Sequence, residues 1–486
     1  MDRVLALALA VAVVGCSGPA PQRLVGGDAV LAGVSVDQKW VAVLTGATRL
    51  ATGAHVGALQ LVPTGGGAAV TLDGRSSGGV FNRGTTLWYL GGVTVVSEGT
   101  PATDHVYGAL YVWTPSLAAP IKLADNVREY SVSQDGSTCV FIDWAQQTID
   151  PANTGALAAV YAPACSDAGC APIAIASGVT AAASAWRLSL DGRRVLVTLR
   201  GVAATDPGQV LLIAADAGST QRLSTGADAR SAMMTPAGDT VAWVEGANEI
   251  HVMPVGGTAT VLVPSSPLLD SASMIDASSF IAKTRELATG PAALAKVTAA
   301  GTTPLAVQRP QQYFVSQAVA GKTDRYVFFQ LATIAANGEP DLWLLDHTNP
   351  GAQPVQLGGG VDSPIAGAVG FSDDGSMIEY LDNFDPVTRR GDEYVAPLAM
   401  PTRSLVATGV HNAAFIPGTT RLMYIAAADA VTGAGVLSTL SSPTGLADIQ
   451  SVGIVNFADP RDPPARTWFT QTTGAPDDGV WSMPQP

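Results

Sequence analysis

Carboxylates dominate the residues able to do chemistry here: 40 Asp and Glu stand against 26 Lys and Arg, with five His and four Cys in 486 residues. The histidines, His55, His105, His251, His347 and His411, are scattered, and none has a metal-binding spacing such as H-E-x-x-H. No G-x-S-x-G nucleophile turn and no G-x-x-x-x-G-K-[ST] phosphate loop occurs. "PTGGGAA" has the glycines of a phosphate loop but neither its lysine nor a following helix. His105 beside Asp104 is the one pair suited to acid–base work, and a plain surface pair is the competing reading. Cys165 and Cys170 in "CSDAGC" suit a local disulfide in an oxidising compartment. A zinc site there would need two more ligands, and no His lies within 50 residues. Cys139, inside "TCVFI", reads as a buried free thiol. No metal and no cofactor is expected, and a net charge of −14 argues against a nucleic-acid partner.

The elements that must position these residues come from a phrase that repeats. "VSQDGSTCVFI", "LSLDGRRVLVTL", "MTPAGDTVAWV" and "FSDDGSMIEYL" each place a small polar residue before a tight turn and then a strand of β-branched and aromatic residues. Weaker copies raise the count to ten, with turns near 37, 84, 136, 192, 238, 277, 323, 375, 418 and 462, spaced 39 to 56 residues apart. Downstream of most copies lies a second hairpin, such as "VLLIAADAGSTQRL" or "EIHVMPVGGTATVLV", so each unit holds four strands in meander order. A period of about 47 residues belongs to propeller blades, and such four-stranded units bury their faces only by stacking around an axis. The last unit ends one strand short at "GVWSMPQP", while "QRLVGGDAV" precedes the first, which predicts closure by an N-terminal strand. The expected fold is all-β: one β-propeller of about eight to ten four-stranded antiparallel blades. Two smaller propellers in tandem, divided somewhere between 230 and 320, are the alternative.

The copies with "Q-D-G", "L-D-G" and "D-D-G" resemble the TolB-type, WD40-like propeller repeats. The resemblance implies a scaffold and no activity, because the α/β domain of TolB and the hydrolase domain of prolyl oligopeptidases have no counterpart in the sequence. At the start, "VVGC" after an apolar run from Val4 is similar to the lipobox of bacterial lipoproteins. Residues 1–15 then form a signal peptide, too short to span a bilayer, and Cys16 carries the lipid. Residues 16–21 form a tether and 22–486 the propeller. The resemblance implies export and anchoring in a bacterial membrane, and Ser17 in place of an aspartate implies the outer membrane, with the protein facing the periplasm.

In such a ring the turns between first and second strands, and between third and fourth, share one face, and here they are short. The other face carries the long connections, including 91–108, 143–155, 200–209, 332–341, 382–393 and 427–435. Length collecting on one face marks a binding face. It carries Glu98, Asp104, His105, Asp143, Asp150, Asp206, Glu339, Asp341, Asp382, Asp385, Asp392 and Glu393, with Arg389 and Arg390 among the last of these. The binding residues expected from this reading are Glu98, Asp104, His105, Asp382, Asp385, Arg389, Arg390, Asp392 and Glu393, and the partner expected is an envelope protein or peptide. Contact with the membrane is expected through the lipid only. A solvated acidic surface is the bland reading. A glycan- or peptide-cleaving site in the central channel is the enzymatic alternative to a non-enzymatic platform.

Overall fold

The computed structural model describes residues 22–484 apart from 51–53, 99–102, 181–183, 200–207, 225–228, 265–267, 316–325, 332–340, 360–368, 427–433, 441–446, 458–465, 472–477 and scattered positions between these. Among the described residues, strands account for all regular structure except a three-residue 3-10 turn at Ala162–Ala164, and no helix is long and apolar enough to cross a membrane.

The strands group into ten four-stranded antiparallel blades. Blade 1 spans 30–76, and blades 4 to 8 begin at 184, 230, 268, 310 and 369. Two pairs of blades share a strand. Ile121–Val132 is the outer strand of blade 2 and then the inner strand of blade 3, and Ala447–Phe457 joins blades 9 and 10 in the same way. Blade 10 takes its fourth strand from the N-terminus: Gln22–Gly26 runs antiparallel to Gly479–Pro484, with Gln22 opposite Ser482 and Gly26 opposite Gly479. The expected strand closure is present.

Each blade is apolar on both faces, so each seam has its own core. Blades 1 and 2 meet through Leu59, Leu61, Phe81 and Tyr89, and blades 3 and 4 through Val140, Ile142, Val195 and Ile213. Blades 5 and 6 meet through Val244, Ile250, Phe280 and Val297, and blades 6 and 7 through Ile281, Leu294, Val327 and Phe329. The series ends where Val480 of blade 10 packs against Leu31, Val41 and Val43 of blade 1. Ten seams join consecutive blades and the last to the first, which makes one ring. A division into two tandem propellers near 230 to 320 would break a seam there, whereas blades 4 and 5, 5 and 6, and 6 and 7 each pack together. Burial of each such side chain contributes about 1.5–3 kcal/mol.

The repeated phrase works as a hydrogen-bonded turn. Ser189 Oγ donates to Asp191 Oδ1 at 2.7 Å and accepts from Arg194 N at 3.0 Å, while Arg193 N donates to the same carboxylate at 3.1 Å. Ser35, Ser133 and Ser372 repeat this geometry with Asp37, Asp135 and Asp374, and all four serines are buried. The turns also stitch neighbouring blades together. Val36 N donates to Gly84 O, Arg83 N to Gln134 O, Asp135 N to Leu190 O and Leu190 N to Pro236 O, at 2.8 to 3.1 Å. Glycine is required at 136, where φ is 76° and a Cβ would sit 2.8 Å from Phe81 O. The turns expected at 323 and 462 lie outside the described residues, but the strands flanking them pair as expected.

Ser189→Ala strips two hydrogen bonds from a buried turn and should cost about 1–3 kcal/mol. Ser189→Thr should hold close to the parent, because blade 5 places Thr235 there and Thr240 N donates to its hydroxyl at 3.1 Å. Urea unfolding of the two variants checks this.

Candidate functional site

The face expected to bind is the one reached by connections between second and third strands. One connection on it differs from the expected loop. Strands Leu87–Glu98 and Thr103–Trp113 form a ribbon in which, past a bulge at Gly91, Thr94 pairs with Tyr107, Val96 with His105, Ser97 with Asp104 and Glu98 with Thr103. The β-branched alternation of "VTVV" and "HVY" extends the hairpin. Gly92, at φ 58°, absorbs the bulge. Val95 and Val106 lean on the blade 2–3 core and Val96 on the next one. Asp104 accepts the Ser97 hydroxyl, and His105 is half-buried opposite Val96.

At the base of this ribbon lies a cluster that sequence reasoning missed. Arg128 lies between aromatic rings, its guanidinium carbon 5.5 Å from the Tyr107 centroid and 5.2 Å from that of Trp144. It donates to Tyr107 Oη at 3.0 Å, and Tyr107 Oη donates to Thr148 O at 2.7 Å. Glu129 accepts from Arg128 Nε and, at 2.9 Å, from Trp144 Nε1. Burial works against the charge of Arg128, but Glu129 and Tyr107 outweigh it and hold the guanidinium more firmly protonated. Asp143 accepts from Asn126 N of the shared strand at 2.9 Å, and Asp150 from Ala152 N of its own loop at 2.8 Å. The only hint in the sequence was an Arg-Glu pair inside a strand.

Blade 8 requires two corrections. Asp382 was expected on the binding surface but is 3 % exposed. It accepts from Arg403 Nη1 at 2.6 Å, Gly359 N at 2.9 Å and Asn383 N at 2.9 Å, tying the end of blade 7 to blade 8. Arg403 lies 4.6 Å over the Tyr394 ring and also donates to Leu357 O. Glu393 was expected on the same surface but is 0 % exposed, on the face that packs against blade 9. Among the described residues its carboxyl oxygens accept no N–H donor. Burial, and then the charge and hydrogen bond of Glu379 beside it, push its pKa well above the ordinary range. Both residues sit on strands that alternate apolar and polar side chains, and the "polar" side faces a neighbouring blade.

Other residues of that segment reach the surface. Asp385 is exposed, accepts the Thr388 hydroxyl at 2.7 Å and stands opposite Arg390. Asp392 is half-buried and accepts the Asn383 amide at 2.8 Å. Arg389 lies outside the described residues, as do Asp206 and Glu339. Burial and the charge of Asp382 raise the pKa of Asp341. Thus Asp104 and His105 on the ribbon, and Asp385, Arg390 and Asp392 on blade 8, remain in two groups on different blades. No three His, Cys, Asp or Glu side chains gather at a metal-sized site among the described residues.

Between these groups the face has a cleft of about 620 Å³, where blade 5 has its shortest turn, lined by Arg230, Gly246, Ala247, Leu269, Asp270 and Arg285. Its arginines are already engaged: Arg230 donates to Gly246 O at 2.7 Å and Leu269 O at 2.6 Å, and Arg285 to Asp270 at 2.6 Å. On the opposite face, Cys165 and Cys170 form a disulfide in a turn of blade 3, and Cys139 is a buried free thiol.

No family model matches this chain, and no curated relative does. Solved structures similar to it include a eukaryotic initiation factor, at 10% identity over 83% of this chain and 95% of that one, with a TM-score of 0.45. An oligogalacturonate lyase in complex with manganese is 12% identical over 74% of this chain and 98% of that one, TM-score 0.36. TolB from Acinetobacter baumannii is 16% identical over 56% of this chain and 62% of that one, TM-score 0.25. No activity, partner or location passes from them to this chain.

Glu393 supplies a pH test. In the fold it keeps its proton above the pH, about 4.3, at which an unfolded glutamate loses it. Between those two values unfolding releases a proton, so stability falls as pH rises, by about 1.4 kcal/mol per unit for one such group. Glu393→Gln should therefore raise the melting temperature at pH 8, with the gain shrinking towards pH 4. Thermal scans across that range would show a constant or negative difference if the side chain were ionised in the fold.

Proposed function

We propose that this chain is a non-enzymatic, lipid-anchored lipoprotein of the cell envelope that holds a protein or peptide on its long-loop face. The observation that carries the reading is the direction of the closing strand. Gln22 lies opposite Ser482, near the end of the third strand of blade 10, so the chain enters the ring on the short-turn face. Cys16 lies six residues before it. An acyl chain on Cys16 would hold the short turns towards the membrane and leave the ribbon at 94–107 and the blade 8 carboxylates facing away from it. Anchoring and binding then use opposite faces and do not compete. The ribbon offers mixed apolar and acidic groups on a paired hairpin, which suits a polypeptide partner. An outer-membrane site facing the periplasm follows from Ser17 on the same reading.

The test is crosslinking capture from native membranes, comparing the parent with a Glu98→Gln, Asp104→Asn, Asp385→Asn variant. Asp382 and Glu393 are left intact because both are buried. One defined envelope protein should be captured by the parent and reduced at least tenfold in the variant. Equal capture by both would place the partner elsewhere, and turnover of glycans or peptides by the purified protein would favour an enzyme of the channel.

A further inference from the structure

A second cleft, of about 660 Å³, opens on the short-turn face at the seam between blades 10 and 1. It is lined by Gln22, Arg23, Gln38, Thr64, Arg466 and Ser482, with Leu24 the one apolar contributor. In a chain of net charge −14, its lining holds no carboxylate; Arg23 turns its guanidinium along the strand to donate to Asp478 O at 2.8 Å, which leaves Arg466 as the charged group of the cleft. Arg466 donates through Nε and Nη2 to Ser482 Oγ, at 3.1 and 2.8 Å, and through Nη2 to Gln22 Oε1 at 3.2 Å. Its Nη1 amino group makes no hydrogen bond among the described residues, so the guanidinium is oriented by the protein with donors to spare.

The turn beside it departs from its sister turns. Blades 3, 4, 5 and 8 place Gly136, Gly192, Gly238 and Gly375 at the left-handed position, with φ between 65° and 76°. Blade 1 instead places Gln38 there, at φ 53°. That conformation disfavours a residue with a Cβ, and strain of this kind gathers where a side chain is used. Gln38 lines the cleft, and Thr64 fixes the turn by donating its hydroxyl to Gln38 O at 2.6 Å. Gln22, which also lines it, is the first described residue after the tether, six residues from Cys16. Six residues reach at most about 20 Å, so a lipid on Cys16 would bring this cleft to the depth of the headgroups.

We propose that this cleft is a phospholipid-headgroup site, in which Arg466 takes the phosphate and Gln22, Gln38 and Ser482 its ester or glycerol oxygens. The proposal rests on the lipoprotein reading above. Guanidinium groups suit phosphate because their planar donors match its oxygens. The site would seat an otherwise acidic ring flat on an anionic leaflet, which attracts basic groups close to its surface.

The test uses the lipidated chain in vesicles of phosphatidylcholine and phosphatidylglycerol containing a phospholipid with a photo-crosslinker in its headgroup, with labelled peptides mapped by mass spectrometry. Label should concentrate on peptides holding residues 22–24, 38, 466 and 482, fall at least fivefold in Arg466→Gln, and fall about twofold in Gln38→Gly. The second variant relieves backbone strain, so its melting temperature should not drop and misfolding does not account for its loss of label. Label spread over both faces, or unchanged in both variants, overturns the proposal. Protection of the same peptides by inorganic phosphate in detergent, without phospholipid, assigns the cleft to free phosphate and overturns the headgroup assignment. The mass of the Cys16 peptide reports separately whether the lipid is present, so failure of the anchor and failure of the cleft give different results.

Discussion

Everything in this molecule depends on the pairing of Gln22–Gly26 with Gly479–Pro484. A blade apolar on both faces has no stable place except between two others, and a row of ten has two bare ends unless it closes. The closing strand completes blade 10, brings Val480 against Leu31 and Val43, and turns the row into a cycle of seams. The same pairing places Gln22, the first described residue, at the short-turn end of blade 10, so one register sets both the closure of the ring and the face from which the described chain begins.

The second constraint is the buried serine turn. A short turn at the inner edge of each blade must satisfy its own backbone while lying against the next turn. In blades 3 and 4 a hydroxyl and a carboxylate do the first task, and the link from Asp135 N to Leu190 O does the second. Such turns are short because they are already fully bonded, which leaves variation to the opposite face. The Tyr107–Arg128–Trp144 stack and the ribbon above it lie on that freer face.

Much of the ring was legible because the turn chemistry recurs in sequence: "QDG", "LDG" and "DDG" mark the same corner in different blades. The strand shared between blades 2 and 3 was not, since Ile121–Val132 carries no Gly or Pro where the blade changes. The binding face was legible as a place and not as a set of residues. Loop assignment by polar composition put Asp382 and Glu393 at the surface, whereas alternation along Met377–Asp385 and Arg390–Pro397 turns them into seams. A strand buried on both sides gives a carboxylate no sequence mark that separates a solvated position from a buried one. Arg128 was missed for the related reason that its partners come from three strands, two of them in neighbouring blades.

The central claim is a single ten-blade ring, with the proposed tether leaving from the face opposite its long connections. Single-particle electron microscopy of the lipidated chain in a lipid nanodisc tests both halves in one experiment. The account expects one closed ring of ten blades with its short-turn face on the disc and the blade 2 ribbon pointing away from it. Two smaller rings, a gap between blades 10 and 1, or a ring lying with its long connections against the lipid would contradict it.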